Sequence, residues 1–154
     1  MTTSNQTAFL DMIAFSEGTQ AVGHHNGYDV IVGSTPTLMR RMDSFDDHPR
    51  VTMQLNSKLW SSAAGRYQIT APTWAVLKLR LKLPDFSPGS QDKAALELIR
   101  EKGAIDMIDA GKITDAINAC APIWASLPGA GYGQHENDMA ALIAIYQLKG
   151  GHLA

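Results

Sequence analysis

Between residues 19 and 70 this chain loses the helical apolar period that organises the segments on either side, and that interruption limits the folds open to it. Before it, "AFLDMIAFS" places Phe9, Met12 and Ile13 at helical spacing, with Gly18 as a stop, so a helix is predicted over about Thr7–Ser16. After it the period returns. "APTWAVLKLRLKL" has Pro72 near a first turn, and "SPGSQDKAALELIREKG" starts at Ser87-Pro88 or at Ser90 and stops at Gly103. "AIDMIDAG" ends at Gly111. "TDAINAC" takes Thr114 as its N-cap, and Pro122 breaks or kinks that helix. "ENDMAALIAIYQLKGG" aligns Met139, Leu142, Ile143 and Tyr146 on one face. Within the interruption, "YDVIVG" and "VTMQL" read as short strands around the polar "STPTLMRRMDSFDDHPR". Helices with one strand-rich insertion predict an α+β domain, a mainly helical lobe plus a small β-rich lobe with a cleft between them.

The 154 residues suffice for one domain, 1–154, with a real core. A net charge of −2 provides no broad basic field, so no nucleic-acid partner is expected. No apolar run approaches the roughly 20 residues that span a bilayer, and "MTTSNQTAFLDMIAF" lacks the basic start of a signal peptide. Membrane insertion is therefore not expected. The single cysteine, Cys120, cannot form an internal disulfide, and its spacing from Ile117, Ile123 and Trp124 reads as a core thiol. His24, His25, His48, His135 and His152 form no HExxH or CxxC pattern, so neither a metal site nor a cofactor is expected.

Glu17 is the residue that chemistry singles out. It lies four residues beyond Ile13 and eight beyond Phe9, and so projects from the apolar side of the first helix. Partial burial disfavours its ionised form, and so does the negative end of the helix dipole. A rise of about 2 units would leave a sizeable protonated fraction near neutral pH. An acid that keeps its proton can protonate the leaving oxygen of a glycosidic bond.

The ordered series "FLDMIAFSEGT", "NGYDVIVG", "DHPR", "AGRYQ", "DFSPGSQD" and "IWASLPGAGYGQ", from Ala8 to Gln134, resembles the lambda-phage-type endolysins. These are lytic transglycosylases of lysozyme-like fold that cut peptidoglycan. The resemblance implies that Glu17, in "SEGT", is the catalytic acid. It implies that Tyr67 and Gln68 of "AGRYQ" and Tyr132 of "GAGYG" bind substrate. A glutamine amide can donate to and accept from an N-acetyl group, and a tyrosine can stack on a sugar. Two mobile lips are also implied, near Arg50–Trp60 and in "LPGAGYGQ". The chain departs from the family pattern in being less basic and in carrying Phe45 where a tyrosine is frequent.

Ordinary glycosidases use a second carboxylate. Asp29, Asp43, Asp46, Asp47 and Glu136 are candidates that sequence cannot place, and Asp46 and Asp47 read as a solvated loop. The resemblance implies cleavage between N-acetylmuramic acid and N-acetylglucosamine with 1,6-anhydro ends, Glu17 acting as acid and then as base. A hydrolytic muramidase and a non-catalytic wall-binding module are the alternatives. The implied partners are peptidoglycan glycan strands and a holin. The implied location is the host cytoplasm until release to the wall.

Overall fold

A computed structural model describes residues 1–22 and 24–154. Its chain forms two compact units, Met1–Glu17 with Leu96–Ala154, and Gly18–Ala95.

The first unit is helical. Helix α1, Ser4–Ser16, starts earlier than the apolar pattern indicates, because Thr3 and Gln6 make a reciprocal capping box. Gln6 and Thr3 also bond the carboxylate of Asp109. Contrary to expectation, α1 is not amphipathic. Ala8, Phe9, Leu10, Met12, Ile13 and Ala14 are all buried, so the helix is apolar around most of its circumference and serves as the core element of its unit. Full burial of side chains such as Phe9 and Ile13 contributes roughly 1.5–3 kcal/mol each. Around it pack the later helices of the unit. The numbering runs on from α2 (Ala71–Leu81) and α3 (Pro88–Glu101) to α4 (Ile105–Asp109), α5 (Ile113–Cys120) and α6 (Met139–Leu148). α1 meets α4 and α6, and α5 meets α4 and α6. Thr114 is not the N-cap of α5. The cap and the helix start lie two residues earlier: the buried Ile113 is drawn into the core as the first helical residue, and Lys112 stands at the cap without a side-chain bond. Cys120 is fully buried at the end of α5, ahead of Pro122, and burial pushes its thiol up to about 12.

The second unit carries less β structure than expected. "VTMQL" supplies strand β1, Met53–Asn56, which pairs antiparallel with β2, Leu59–Ser61, a strand the pattern did not reveal. "YDVIVG" is not a strand. Val30 and Ile31 make isolated bridges to Arg41 and Ala64, and Gly33 then turns the backbone at a φ of 84°. Its apolar residues are buried nonetheless. Ile31 and Val32 cluster with Ala63, and Met42 and Met53 pack against them. The helical part of this unit is α2 and the start of α3. Trp74 stacks edge-on against Phe86 at 4.7 Å, and His48 does so at 5.0 Å. Buried Gln91 uses both ends of its amide. It donates to the carbonyls of Tyr28 and Phe86 and accepts from the backbone of Arg66.

Candidate functional site

Glu17 caps α1 at its C-terminus, with its backbone N–H still donating to Ile13, and Gly18 leaves the helix in the left-handed region at φ 74°. The side chain is held in a half-buried position. Its Oε1 accepts from Ser126 Oγ at 2.8 Å. Burial raises the carboxyl from 4.5 to about 7, and the Ser126 bond works against that rise. The direction and size of the shift match the expectation, although its cause is burial beside a helix apolar around most of its circumference and not a position on one apolar side.

Ser126 was not visible to sequence reasoning, because it reaches Glu17 across 109 residues of chain. Its position is set by buried Trp124 and Leu127 on either side, and by the backbone N–H of Asn137, which donates to the Ser126 carbonyl at 2.8 Å. Ser126 Oγ also lies 2.8 Å from Ser16 Oγ, and Asn137 Nδ2 reaches Ser16 Oγ at 3.0 Å. Ser16, Glu17, Ser126 and Asn137 thus form one hydrogen-bonded group.

The glycine-rich loop belongs to the same unit. Gly129, Gly131 and Gly133 all have positive φ, and Glu136 clasps the turn by accepting from Gly129 N at 2.8 Å and Gly131 N at 3.0 Å. These two bonds hold its carboxyl below the usual range. Tyr132 is 57% exposed, and its hydroxyl donates to the Pro122 carbonyl at 2.9 Å, which presents the ring to solvent. Ring exposure and hydroxyl anchoring together suit a stacking surface.

Tyr67 and Gln68 belong to the second unit, and they differ from each other. Tyr67 is only 2% exposed, so the expected sugar-stacking face is not available in this structure. Its hydroxyl donates to Asp92 Oδ1 at 2.6 Å, where Tyr28 also donates at 2.8 Å. The Arg66 guanidinium lies 5.2 Å from the Tyr28 ring centre. Burial and the Asp92 charge hold the Tyr67 phenol far above its ordinary range, so it remains a donor. Gln68, next to it, is half-buried at a φ of 49°, unusual for a residue with a side chain. The turn that imposes this backbone is fixed by Gly65, where a Cβ would collide with Gln91 Oε1. Gln68 Nε2 donates to the Gly65 carbonyl at 2.9 Å, which leaves its Oε1 and second amide hydrogen for another partner.

The candidate second carboxylates fall into different roles. Despite its desolvation, Asp47 is held well below the usual carboxylate range by bonds from Trp74 Nε1, Lys78, His48 N and Arg50, so it is a structural clamp and not a merely solvated loop residue. Asp29 is 4% exposed. Asp29 and Asp43 line a cavity of about 470 Å³ with His25, Arg41, Met42 and Phe45, and neither Tyr67 nor Gln68 borders it. Glu136 is committed to the glycine loop. His48 is likewise structural, its Nδ1 accepting from Arg50 N and its Nε2 facing the Ile69 carbonyl. Among the described residues no three His, Cys, Asp or Glu side chains gather as a metal site.

Comparison with known proteins gives the same answer along the whole chain. The sequence model of the Endolysin family matches residues 7–153. The endolysin of Escherichia phage lambda is 49% identical over 152 residues, spanning 96% of this chain and 92% of its own. The endolysin of Escherichia phage P2 is 45% identical over 159 residues, spanning 97% and 95%. The solved structure of bacteriophage lambda lysozyme complexed with a chitohexasaccharide superposes with a TM-score of 0.94 at 46% identity, covering 100% of this chain and 99% of that one. A second structure, lysozyme from bacteriophage lambda, superposes with a TM-score of 0.90 at 45% identity and the same coverage. The fold is therefore α+β and lysozyme-like, and the chain belongs to the Endolysin family of phage cell-wall-degrading enzymes.

Proposed function

We propose that this endolysin is a lytic transglycosylase that cleaves the β-1,4 bond between N-acetylmuramic acid and N-acetylglucosamine, with Glu17 as its catalytic residue. The observation that carries the reading is the half-buried carboxyl of Glu17, raised to about 7 while accepting from the Ser126 hydroxyl. Near neutral pH such a group is populated both as an acid and as a base. As an acid it protonates the leaving glycosidic oxygen, and the bond from that oxygen to the anomeric carbon breaks. The 6-hydroxyl of the same muramic acid residue then bonds to the anomeric carbon, and its proton passes to the Glu17 carboxylate. The ring closes as a 1,6-anhydro sugar, no water is consumed, and Glu17 is protonated again. The nucleophile is tethered, so its effective concentration replaces the activation that a second carboxylate would provide.

Gln68, with its unused amide groups, and Tyr132, with its exposed ring, are the proposed glycan contacts. Tyr67 contributes by holding the Gly65–Gln68 turn through Asp92. The complex of the lambda relative with a chitohexasaccharide, a polymer of N-acetylglucosamine, supports a glycan strand as the ligand. No helix among the described residues is long and apolar enough to cross a membrane. As the family resemblance implies, passage from host cytoplasm to wall is assigned to a separate holin.

Mass spectrometry of fragments released from purified peptidoglycan tests the reaction. Transglycosylation yields muramic ends lighter by one water than hydrolytic ends. Reducing muramic acid as the main product would make the protein a hydrolytic muramidase instead.

A further inference from the structure

The bonds around Glu17 run in one direction, and that direction is set three side chains away. We propose that Asn137 is a positioning residue which, through Ser16 and Ser126, directs a one-way line of donors onto Oε1 of Glu17 and leaves Oε2 to carry the transferable proton. The inference rests on the reading of Glu17 as the general acid.

The direction is fixed at Asn137. Its Nδ2 lies 3.1 Å from the Ser16 carbonyl and 3.3 Å from the Ser126 carbonyl. Both are acceptors only, so the amide nitrogen, not its oxygen, must face them. The backbone N–H of Asn137 donates to the Ser126 carbonyl and fixes the residue in place. The same Nδ2 is 3.0 Å from Ser16 Oγ. Its two hydrogens go to the two nearest acceptors, the Ser16 carbonyl and Ser16 Oγ, while the Ser126 carbonyl is served by the backbone N–H of Asn137. A serine hydroxyl has one hydrogen. That of Ser16 is directed to Ser126 Oγ at 2.8 Å, since the Ser126 carbonyl is farther off at 3.4 Å. Ser126, having accepted, spends its own hydrogen on Glu17 Oε1 at 2.8 Å. Oε1 is thereby an acceptor in both protonation states, and the neutral acid keeps its proton on Oε2. The line also binds the carboxylate more strongly than the acid, since hydrogen bonds to charged acceptors are the stronger ones. It thus offsets part of the effect of burial and keeps Glu17 able to take a proton back.

The test uses the full chain labelled with ¹³C at glutamate carboxyls, with the Glu17 resonance titrated by NMR and lytic rate measured over the same pH range. Ser126→Ala should raise the Glu17 midpoint by about one unit. Ser16→Ala and Asn137→Ala should raise it by a smaller amount, while Ser126→Thr, which keeps the hydroxyl, should leave it in place. The high-pH fall in lytic rate should move upward with each midpoint. A merely structural role would lower the rate at every pH without moving that limb. If Asn137→Ala does not fold, Ser16→Ala carries the same expectation. Midpoints for Ser16→Ala and Asn137→Ala equal to that of the unaltered protein would overturn the proposal. The titration is independent of product chemistry. Shifted midpoints with hydrolytic products would leave the donor line standing and remove transglycosylation alone.

Discussion

Replacing Glu17 by Gln should abolish lysis and, above neutral pH, make the protein more stable. The unfolded carboxyl titrates near 4.5 and the folded one near 7, a difference of 2.5 units. Between those values the native state binds more protons than the unfolded state, so stability falls as pH rises. Below 4.5 both states are protonated and the charge costs nothing. Above 7 the native protein holds an ionised carboxylate in a partly dry site, at a cost of about 3 kcal/mol from 2.5 units at 1.36 kcal/mol each. Glutamine has nearly the same shape and keeps an oxygen able to accept from Ser126, but it has no charge to desolvate. Denaturant melts of both proteins from pH 4 to pH 8.5 should therefore give a stability difference that is small at pH 4. It should grow by about 3 kcal/mol and level off above about pH 7.5. For a chain of this length that corresponds to roughly 6–12 °C in Tm at the alkaline end. The variant must still bind glycan strands, which separates loss of chemistry from loss of the site. A stability difference that does not vary with pH would refute the premise that position 17 is an acid held by its surroundings. A glutamine variant that still lyses walls would refute its catalytic role.

The clasp formed by Glu136 makes a second expectation. Glu136→Gln should weaken the hold on Gly129 and Gly131, seen as faster hydrogen exchange of those two amides and a raised KM with little change in kcat. Because that carboxyl is held below its usual range, the grip should be complete at neutral pH and lost only as pH falls into the acid range. Gly65→Ala should destabilise the protein by about 2 kcal/mol or more, measured by urea melts, since a Cβ there collides with Gln91 and the backbone sits at φ 80°. Its lytic loss should exceed what the unfolded fraction explains, because Gln68 depends on the same turn.

The parts of this protein that sequence made legible are those where local chemistry and tertiary demand agree. Phe9, Met12 and Ile13 marked α1, Gly18 marked its end, and the helical spacing of Glu17 from Ile13 and Phe9 announced its burial and raised pKa. Where the two disagreed, packing prevailed. The capping box at Thr3 and Gln6 was present in the sequence but stood ahead of any apolar period, so the start of α1 was placed too late. Thr114 is a good cap by residue type, yet burial of Ile113 moved the helix start past it. Val30, Ile31 and Val32 have strand composition, but an apolar run can be buried without a ladder, and Gly33 turns the chain before one forms. Tyr67 carried the right motif and a buried ring, which no one-dimensional pattern distinguishes from an exposed one.

The members of the site that sequence did not reveal, Ser126, Ser16 and Asn137, share a physical property that explains both their invisibility and their use. Each is small, polar and uncharged, and none is distinctive alone; their meaning comes from contacts made across more than a hundred residues of chain. A charged donor in the place of Ser126 would serve Glu17 badly. A cation at 2.8 Å would favour the carboxylate strongly enough to cancel the effect of burial, and the acid would lose its proton before meeting the substrate. No donor at all would leave burial unopposed, and in the proposed reaction the carboxylate left after protonating the leaving oxygen would be too unstable to persist until the 6-hydroxyl attacks. A neutral hydroxyl lies between these limits. A residue proposed to give a proton and then take one back works best when its two forms are close in free energy at the working pH, and partial burial opposed by a serine hydroxyl is a sufficient means of bringing that about.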